Sequence, residues 1–224
     1  MVNFPQMKPS VIVFIAALYA LPMMPQTVSG HAPSRNASPK HFESGIGFSY
    51  DVPSDLAIIS SKQFDRAMQA KATQLATTGQ EMKSINCTQR LLVAENRDES
   101  KIVVFLAAPQ GCATGIVTDK TLSSLGQYAA NELSKRFAVV KPVYGAFTAG
   151  KHAFWAMQSE MTPNPPQNPN HEVAYLVTYT PDFVIECMLL ARTPADLSAL
   201  VNTHLKFEDG TETELLPSDA FVAK

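Results

Sequence analysis

The sequence has three cysteines, and few states are open to them. Two of them can form one disulfide and leave one free thiol, or all three can stay reduced. Cys187 lies in FVIECMLLA, a predicted strand in which large apolar residues stand on both sides of it. This pattern predicts a buried free thiol that packs as a small hydrophobic residue. A nucleophilic cysteine needs exposure and a histidine neighbour, which the pattern does not favour. Cys87 and Cys112 are then the candidate disulfide pair.

A predicted β-hairpin brings Cys87 and Cys112 towards each other. Its first strand runs from Cys87 to Glu95 and its second begins at Lys101, with the polar turn NRDE between them. If Glu95 pairs with Lys101, Cys87 lies opposite Pro109, and the turn-forming sequence PQG leads back to Cys112. This path allows the Cα separation of about 4.4–6.8 Å that a disulfide requires. The sequence therefore predicts a Cys87–Cys112 disulfide, with a reduced pair as the alternative.

The histidines show no spacing that is typical of a metal site. The sequence contains no HxH, HExxH or CxxC motif. His152 and Glu160 share one face of a predicted strand, but eight residues at about 3.3 Å each put them about 26 Å apart, too far for a catalytic pair. The five histidines are His31, His41, His152, His171 and His204.

Other catalytic and ligand-binding patterns are also missing. There is no GxSxG nucleophile motif and no glycine-rich phosphate-binding loop. Trp155 alternates with Met157 and Met161 on one strand face, which favours core packing over a binding site. The segment PNPPQNPNH, residues 163–171, is either an extended recognition segment or a stiff, solvated connection. We predict no catalytic residue, no cofactor and no metal ligand.

Composition and charge limit the classes of partner. The chain has 224 residues, of which 46% are hydrophobic and 17% charged, and its formal net charge is −2. The length fits one domain or two small ones, with enough apolar residues for a core. The near balance of charge gives no electrostatic reason to bind nucleic acid or a strongly anionic membrane. We therefore predict no nucleic-acid partner.

The start of the chain predicts a signal peptide and export to the bacterial periplasm or the extracellular space. Lys8 precedes the apolar run VIVFIAALYAL, which is shorter than the roughly 20 residues of a membrane span. An uncleaved N-terminal anchor is the alternative. We expect no membrane span in the mature form. The predicted segments are a signal peptide over residues 1–30, a flexible leader over 31–41, a single domain over 42–207 and a loosely attached acidic tail over 208–224.

Hydrophobic periodicity predicts the element order ββ-α-ββ-α-ββββ-α. Helices are expected near residues 62–77 and 122–137 and after the cap TPAD that starts at Thr193. Adjacent strands with short turns indicate antiparallel pairing. Strands 173–180 and 183–191 are apolar on both sides and require cover on both faces. We therefore predict the α+β class, as a single antiparallel β-sheet with helices packed on both faces, an α-β-α sandwich.

From residue 42 to residue 207 the sequence resembles the PsbP-like superfamily. The resemblance rests on FSYDVP at Phe48–Pro53, on the turn at Gly150 before HAFWAMQSEMT, and on FVIECMLLA followed by the cap TPAD and Phe207. The superfamily includes a photosystem II extrinsic subunit, a Ran-binding nuclear transport factor and exported LpqN-type bacterial proteins. The resemblance implies a non-enzymatic binding or assembly factor. The resemblance assigns no functional residue to this sequence, because no position here matches a functional motif of the superfamily.

Two functions of different class follow from these observations. The first is an exported, non-catalytic binding or assembly module that contacts an unknown protein partner in the cell envelope through a sheet edge, a groove or the 163–171 segment. The second is an enzyme or small-ligand carrier whose site is assembled from residues distant in sequence. A deep pocket with convergent titratable groups favours the second, and an exposed patch or sheet edge favours the first.

Overall fold

The computed structural model describes residues 40–59, 86–112, 115–163 and 171–221, and two antiparallel β-sheets dominate them. The strands are β1 Lys40–Glu43, β2 Phe48–Val52, β3 Ala57–Ile58, β4 Gln89–Glu95, β5 Lys101–Pro109, β6 Phe137–Ala149, β7 His152–Pro163, β8 His171–Tyr179, β9 Phe183–Ala191, β10 His204–Phe207 and β11 Glu212–Glu214. Two helices lie in the described residues, α1 Asp119–Arg136 and α2 Pro194–Val201.

The larger sheet has seven strands in the order β3-β4-β5-β9-β8-β7-β6. β5 and β9 pair without a register shift from Lys101 opposite Ala191 to Pro109 opposite Phe183. Both strands are buried along almost their whole length, as their continuous apolar sequences require. The centre of the molecule is therefore this strand pair, and β6 lies at the far end of the sheet from β3.

Helix α1 covers one face of the larger sheet. It buries Leu122, Leu125, Ala129 and Leu133 against β5, β7, β8 and β9, which is the period of an amphipathic helix. At its start the Thr121 hydroxyl accepts a hydrogen bond of 2.9 Å from the Thr118 backbone N–H, which satisfies a donor that the first turn leaves without a partner.

The other face of the larger sheet is covered by the second sheet together with α2. The second sheet has four strands in the order β1-β2-β10-β11, and Leu205 of β10 pairs with Tyr50 of β2. Tyr50, Leu205 and Phe207 join Leu197 and Leu200 of α2 in a second buried core. The prediction of a single sheet with helices on both faces is therefore wrong, because short strands from the two ends of the domain pair into a sheet of their own.

The chain after Phe207 also differs from its prediction. It was expected to be loosely attached, but β11 pairs with β10, and Leu215, Leu216 and Ala220 are buried in the second core. These apolar residues outweigh the acidic composition of the segment, because burying them removes apolar surface from water. Residues 40 and 41 of the expected leader belong to β1.

Several predicted segments lie outside the described residues. They are the signal peptide, the leader up to residue 39, the helix near 62–77 and most of the Pro-rich segment 163–171. Neither of the two described helices has both the length and the apolar content needed to cross a membrane.

Candidate functional site

The disulfide that the hairpin register predicted is present. Cys87 and Cys112 are bonded, with their Cα atoms 5.9 Å apart. In the hairpin Glu95 lies opposite Ile102, one residue from the predicted pairing, and a β-bulge between Arg90 and Leu92 restores the expected register nearer to Cys87. The bond ties the entry of β4 to the turn after β5, so its position is structural.

Cys187 is a free cysteine and is buried. Its thiol lies in the second core with Leu176, Ile185 and Leu189, and burial raises its pKa well above the usual value. A thiol held in its protonated form among aliphatic side chains is a poor nucleophile. This arrangement agrees with the packing role that its neighbours in the sequence predicted.

His152 pairs with an acid that the sequence did not connect to it. Its Nε2 lies 3.1 Å from the Oδ2 of Asp209, and the Nζ of Lys151 lies 3.1 Å from the same oxygen. The imidazole stacks on Phe207 with ring centroids 3.6 Å apart. Hydrogen bonds led by the Thr211 backbone N–H hold the pKa of Asp209 well below its usual range. The cluster fastens the turn after β6 to the turn after β10.

The remaining described histidines are not brought to one site. His41 is exposed and its two ring nitrogens lie 2.7 Å from Asp51 and 2.6 Å from Glu43. His204 is exposed in β10, and His171 begins β8. Among the described residues no three histidine, cysteine or acidic side chains are placed to hold a metal ion. His31 lies outside those residues.

A buried acid and a buried phenol form the most desolvated polar pair of the described chain. The Tyr175 hydroxyl donates to the Glu186 carboxyl beneath α1, and both residues are almost fully buried. Burial raises the pKa of Glu186 well above its usual value. Burial, followed by the neighbouring Glu186, raises the pKa of Tyr175 as well. The contribution of this pair to the free energy of unfolding therefore depends on pH. Neither side chain reaches the surface.

The surface feature that stands out is the edge of the larger sheet formed by β6. Three of the four sheet edges end in short strands, of 2 residues in β3, 4 in β1 and 3 in β11. β6 has 13 residues, and among the described strands it pairs on one side only, with β7. Proteins commonly protect sheet edges by keeping edge strands short. The β6 edge is therefore the one place in the described sheets where a long strand is left open.

Only the first part of β6 has features that prevent pairing with a further strand. Between Val140 and Val143 the register shifts in a β-bulge, which contains Pro142 and a Lys141 with a φ of 48°. Both a bulge and a proline discourage further strand pairing. From residue 143 to 149 the sequence is VYGAFTA, with no charge, proline or register shift. We name residues 143–149 the open edge.

Exposed apolar side chains concentrate at this strand. Val140, Val143 and Tyr144 are 39%, 50% and 40% exposed, and they make up three of the four large exposed hydrophobic residues in the described chain. The fourth, Ile116, lies before α1. The Tyr144 ring rests against Trp155, with centroids 5.8 Å apart. An apolar strand edge with an anchored aromatic ring suits contact with another polypeptide.

Comparisons with known proteins find similarity among solved structures. No protein-family model matches the chain, and no curated protein sequence matches it. Among solved structures, the chain is similar to the cyanobacterial PsbP protein CyanoP from Synechocystis sp. PCC 6803, with 10% identity and a TM-score of 0.43, over 80% of this chain and 91% of that chain. No role, family membership or residue function is carried over from this similarity.

The sequence did not identify the open edge. The predicted element order places a strand after the second helix, but the position of that strand at the end of the sheet depends on the order in which distant strands pair. The signal that was available is the uncharged run VYGAFTA after Lys141 and Pro142, since strands with polar or charged positions are the ones that resist further pairing.

Proposed function

We propose that this protein is an exported binding module that holds an extended segment of a protein partner as an added strand along the open edge of β6. The partner's backbone would pair with the outward N–H and C=O groups of residues 143–149, as in other cases of β-strand addition. The single observation that carries the proposal is the contrast between the 13-residue β6 and the short strands at the other three edges.

The side chains around the open edge support contact with protein rather than chemistry on a substrate. Val143 and Tyr144 offer apolar area on either side of the strand, and alternate residues of a strand point to opposite faces. The polar clusters near the sheets are taken up by internal pairs, such as His152 with Asp209 and Tyr175 with Glu186. The module is proposed to act without catalysis.

The compartment in this proposal is supported by the disulfide. Bonds of this kind persist in the periplasm and outside cells, and are rare in the reducing cytosol. Cys87–Cys112 is such a bond, and the predicted signal peptide over residues 1–30 provides a route of export. The partner is accordingly proposed to be a protein of the cell envelope.

The test uses a neutral peptide that alternates threonine and valine, has the length of the open edge, and is acetylated and amidated at its ends. Hydrogen exchange of the full chain should show slower exchange of the amides of residues 143–149 when the peptide is present. A second version of the peptide is N-methylated at alternate residues, on the edge that pairs with β6. This peptide should not bind, because it lacks the N–H groups that donate hydrogen bonds to β6.

A matched pair of variants locates the contact. Replacing Val143 and Tyr144 with serine should weaken peptide binding by about tenfold, which corresponds to about 1.4 kcal/mol. Ile116→Ser removes an even more exposed apolar side chain elsewhere on the surface and should leave the affinity unchanged. Protection of a segment other than 143–149, or equal weakening by both variants, would contradict the proposal.

A further inference from the structure

We propose that the segment bound by β6 runs antiparallel to it and carries an acidic residue directly after its apolar run, next to Lys141. This inference rests on the proposed strand addition at the open edge and specifies the chemistry and direction of the partner. It follows from how the charges at the two ends of residues 143–149 differ.

Lys141 lies two residues before the open edge, and Lys151 lies two residues after it. Both are exposed. The Nζ of Lys151 lies 3.1 Å from the Asp209 carboxylate, so its charge is already compensated. Lys141 makes no ion pair with the described residues. An added strand therefore meets one positive charge that no acid of the described residues compensates, at the end where β6 begins.

The backbone at Lys141 keeps this charge at the boundary of the binding edge. The left-handed conformation of Lys141 and the following Pro142 place it within the bulge, where regular pairing stops. A partner strand can therefore pair along residues 143–149. The one or two partner residues next to this paired stretch then lie beside Lys141. An acidic residue at that point meets the lysine, and opposite charges across strands stabilise pairing.

The direction of the partner follows from pairing energetics. Antiparallel pairs are somewhat more stable per residue than parallel pairs, and β6 already has an antiparallel neighbour in β7. In an antiparallel partner the residues that reach Lys141 come after the paired run. The recognised segment is thus an apolar strand sequence followed by aspartate or glutamate, with no such requirement at its other end.

The same charges disfavour a second copy of this chain as the occupant. If two β6 strands paired antiparallel along the whole open edge, residue 143 would face residue 149, and Lys141 of each copy would face Lys151 of the other. Lys141 would then meet no acidic side chain across the strands, because Lys151 is a lysine whose carboxylate partner, Asp209, is already engaged. A different protein with an acidic flank supplies the charge that Lys141 lacks.

The experiment measures binding of the full chain to three peptides by titration calorimetry. Each has the same alternating threonine and valine core with acetylated and amidated ends, and they carry two aspartates after the core, two aspartates before it, or two lysines after it. The first should bind about two- to fivefold more tightly than the second, and the third most weakly. The preference should shrink at high salt, because exposed charges are screened.

Lys141→Glu provides the charge swap. With this variant the peptide with two lysines after its core should bind more tightly than the peptide with two aspartates there. Lys151→Glu, the matched control at the other end, should leave the order of the three peptides unchanged. Equal binding of all three peptides would overturn this inference and leave strand addition standing. Preference for aspartates before the core would overturn the antiparallel direction. Absence of binding by every peptide would instead overturn the proposed function.

Discussion

Glu186 is a buried acid in the interior of the larger sheet. It lies in β9 between Leu106 of β5 and Val177 of β8 and is 3% exposed. An ionised carboxylate in such surroundings is strongly disfavoured, so the acid takes up a proton and its pKa rises. The Tyr175 hydroxyl supplies its hydrogen bond. The folded state therefore holds a proton that the unfolded chain releases near an ordinary glutamate pKa of about 4.3.

The first prediction concerns pH and stability at Glu186. Because the pKa is raised on folding, its contribution is fully present below the unfolded pKa and is lost as pH rises towards the folded pKa. The free energy of unfolding should fall by about 1.4 kcal/mol per pH unit above pH ~5 relative to Glu186→Gln. Glutamine keeps an acceptor for Tyr175 but does not ionise. Urea unfolding of both proteins between pH 5 and 8 measures the difference.

The comparison with Glu186→Gln removes other titrations. Burial, followed by the neighbouring Glu99, raises the pKa of Glu95 to about 7, but this group titrates in both proteins and cancels in the difference. If the two proteins showed the same dependence on pH, the carboxyl of Glu186 would have to be solvated in the folded state.

At the scale of elements, the contact between α1 and β7 depends on a glycine. A Cβ atom added to Gly126 would lie 2.1 Å from Cδ2 of Trp155, and Trp155 is 4% exposed. The indole ring therefore packs directly on the helix backbone. Glycine inside a helix costs about 1 kcal/mol relative to alanine, and here close packing offsets that cost.

Gly126→Ala should therefore destabilise the protein by about 1–3 kcal/mol despite the better helix propensity of alanine, because overpacking forces Trp155 or α1 to move. Ser124→Ala is the control on the exposed side of the same helix, where no packing opposes the change. It should be neutral or slightly stabilising. Thermal or urea unfolding measures both variants, and a Gly126→Ala protein at least as stable as the wild type would refute the packing account.

Elements with strong local signals were predictable. Thr193, Pro194 and Asp196 predicted the start of α2, and the Thr193 hydroxyl accepts from the Asp196 N–H at 3.1 Å. The end of α2 was not predictable in the same way. Leu205 continues the helical period in the sequence, but it belongs to β10, because pairing with Tyr50 of β2 gives it a partner that no local pattern reveals.

At the scale of the whole molecule, the second sheet escaped prediction because its strands are short. HLKF and ETE, the sequences of β10 and β11, are too brief to show a period. β10 pairs with β2, more than 150 residues earlier in the chain, and β11 pairs with β10. Whether a strand lies at an edge is decided by the same distant pairings. The uncharged run VYGAFTA marks the open edge of β6 as able to pair, but its place at the end of the sheet is seen only in the folded structure.

The disulfide acts on the whole molecule because it closes a loop over a sequence separation of 25 residues. Restricting the unfolded chain in this way is worth about 3.5 kcal/mol in the chain-entropy model. Replacing Cys87 and Cys112 together with serine should lower the free energy of unfolding by about that amount. The loss should disappear when both proteins are compared under reducing conditions, because the wild type then lacks the bond as well.

A thiol count checks the state of the cysteines on which this prediction depends. The chain has three cysteines, and Cys187 is the free one. Denatured protein purified from an oxidising compartment should react with one equivalent of a thiol reagent, and with three after reduction. Three equivalents without reduction would mean that the bond does not form there. Export would then lose its support from the disulfide. Strand addition would be unaffected, because the open edge is in β6 whereas the bond joins the entry of β4 to the turn after β5.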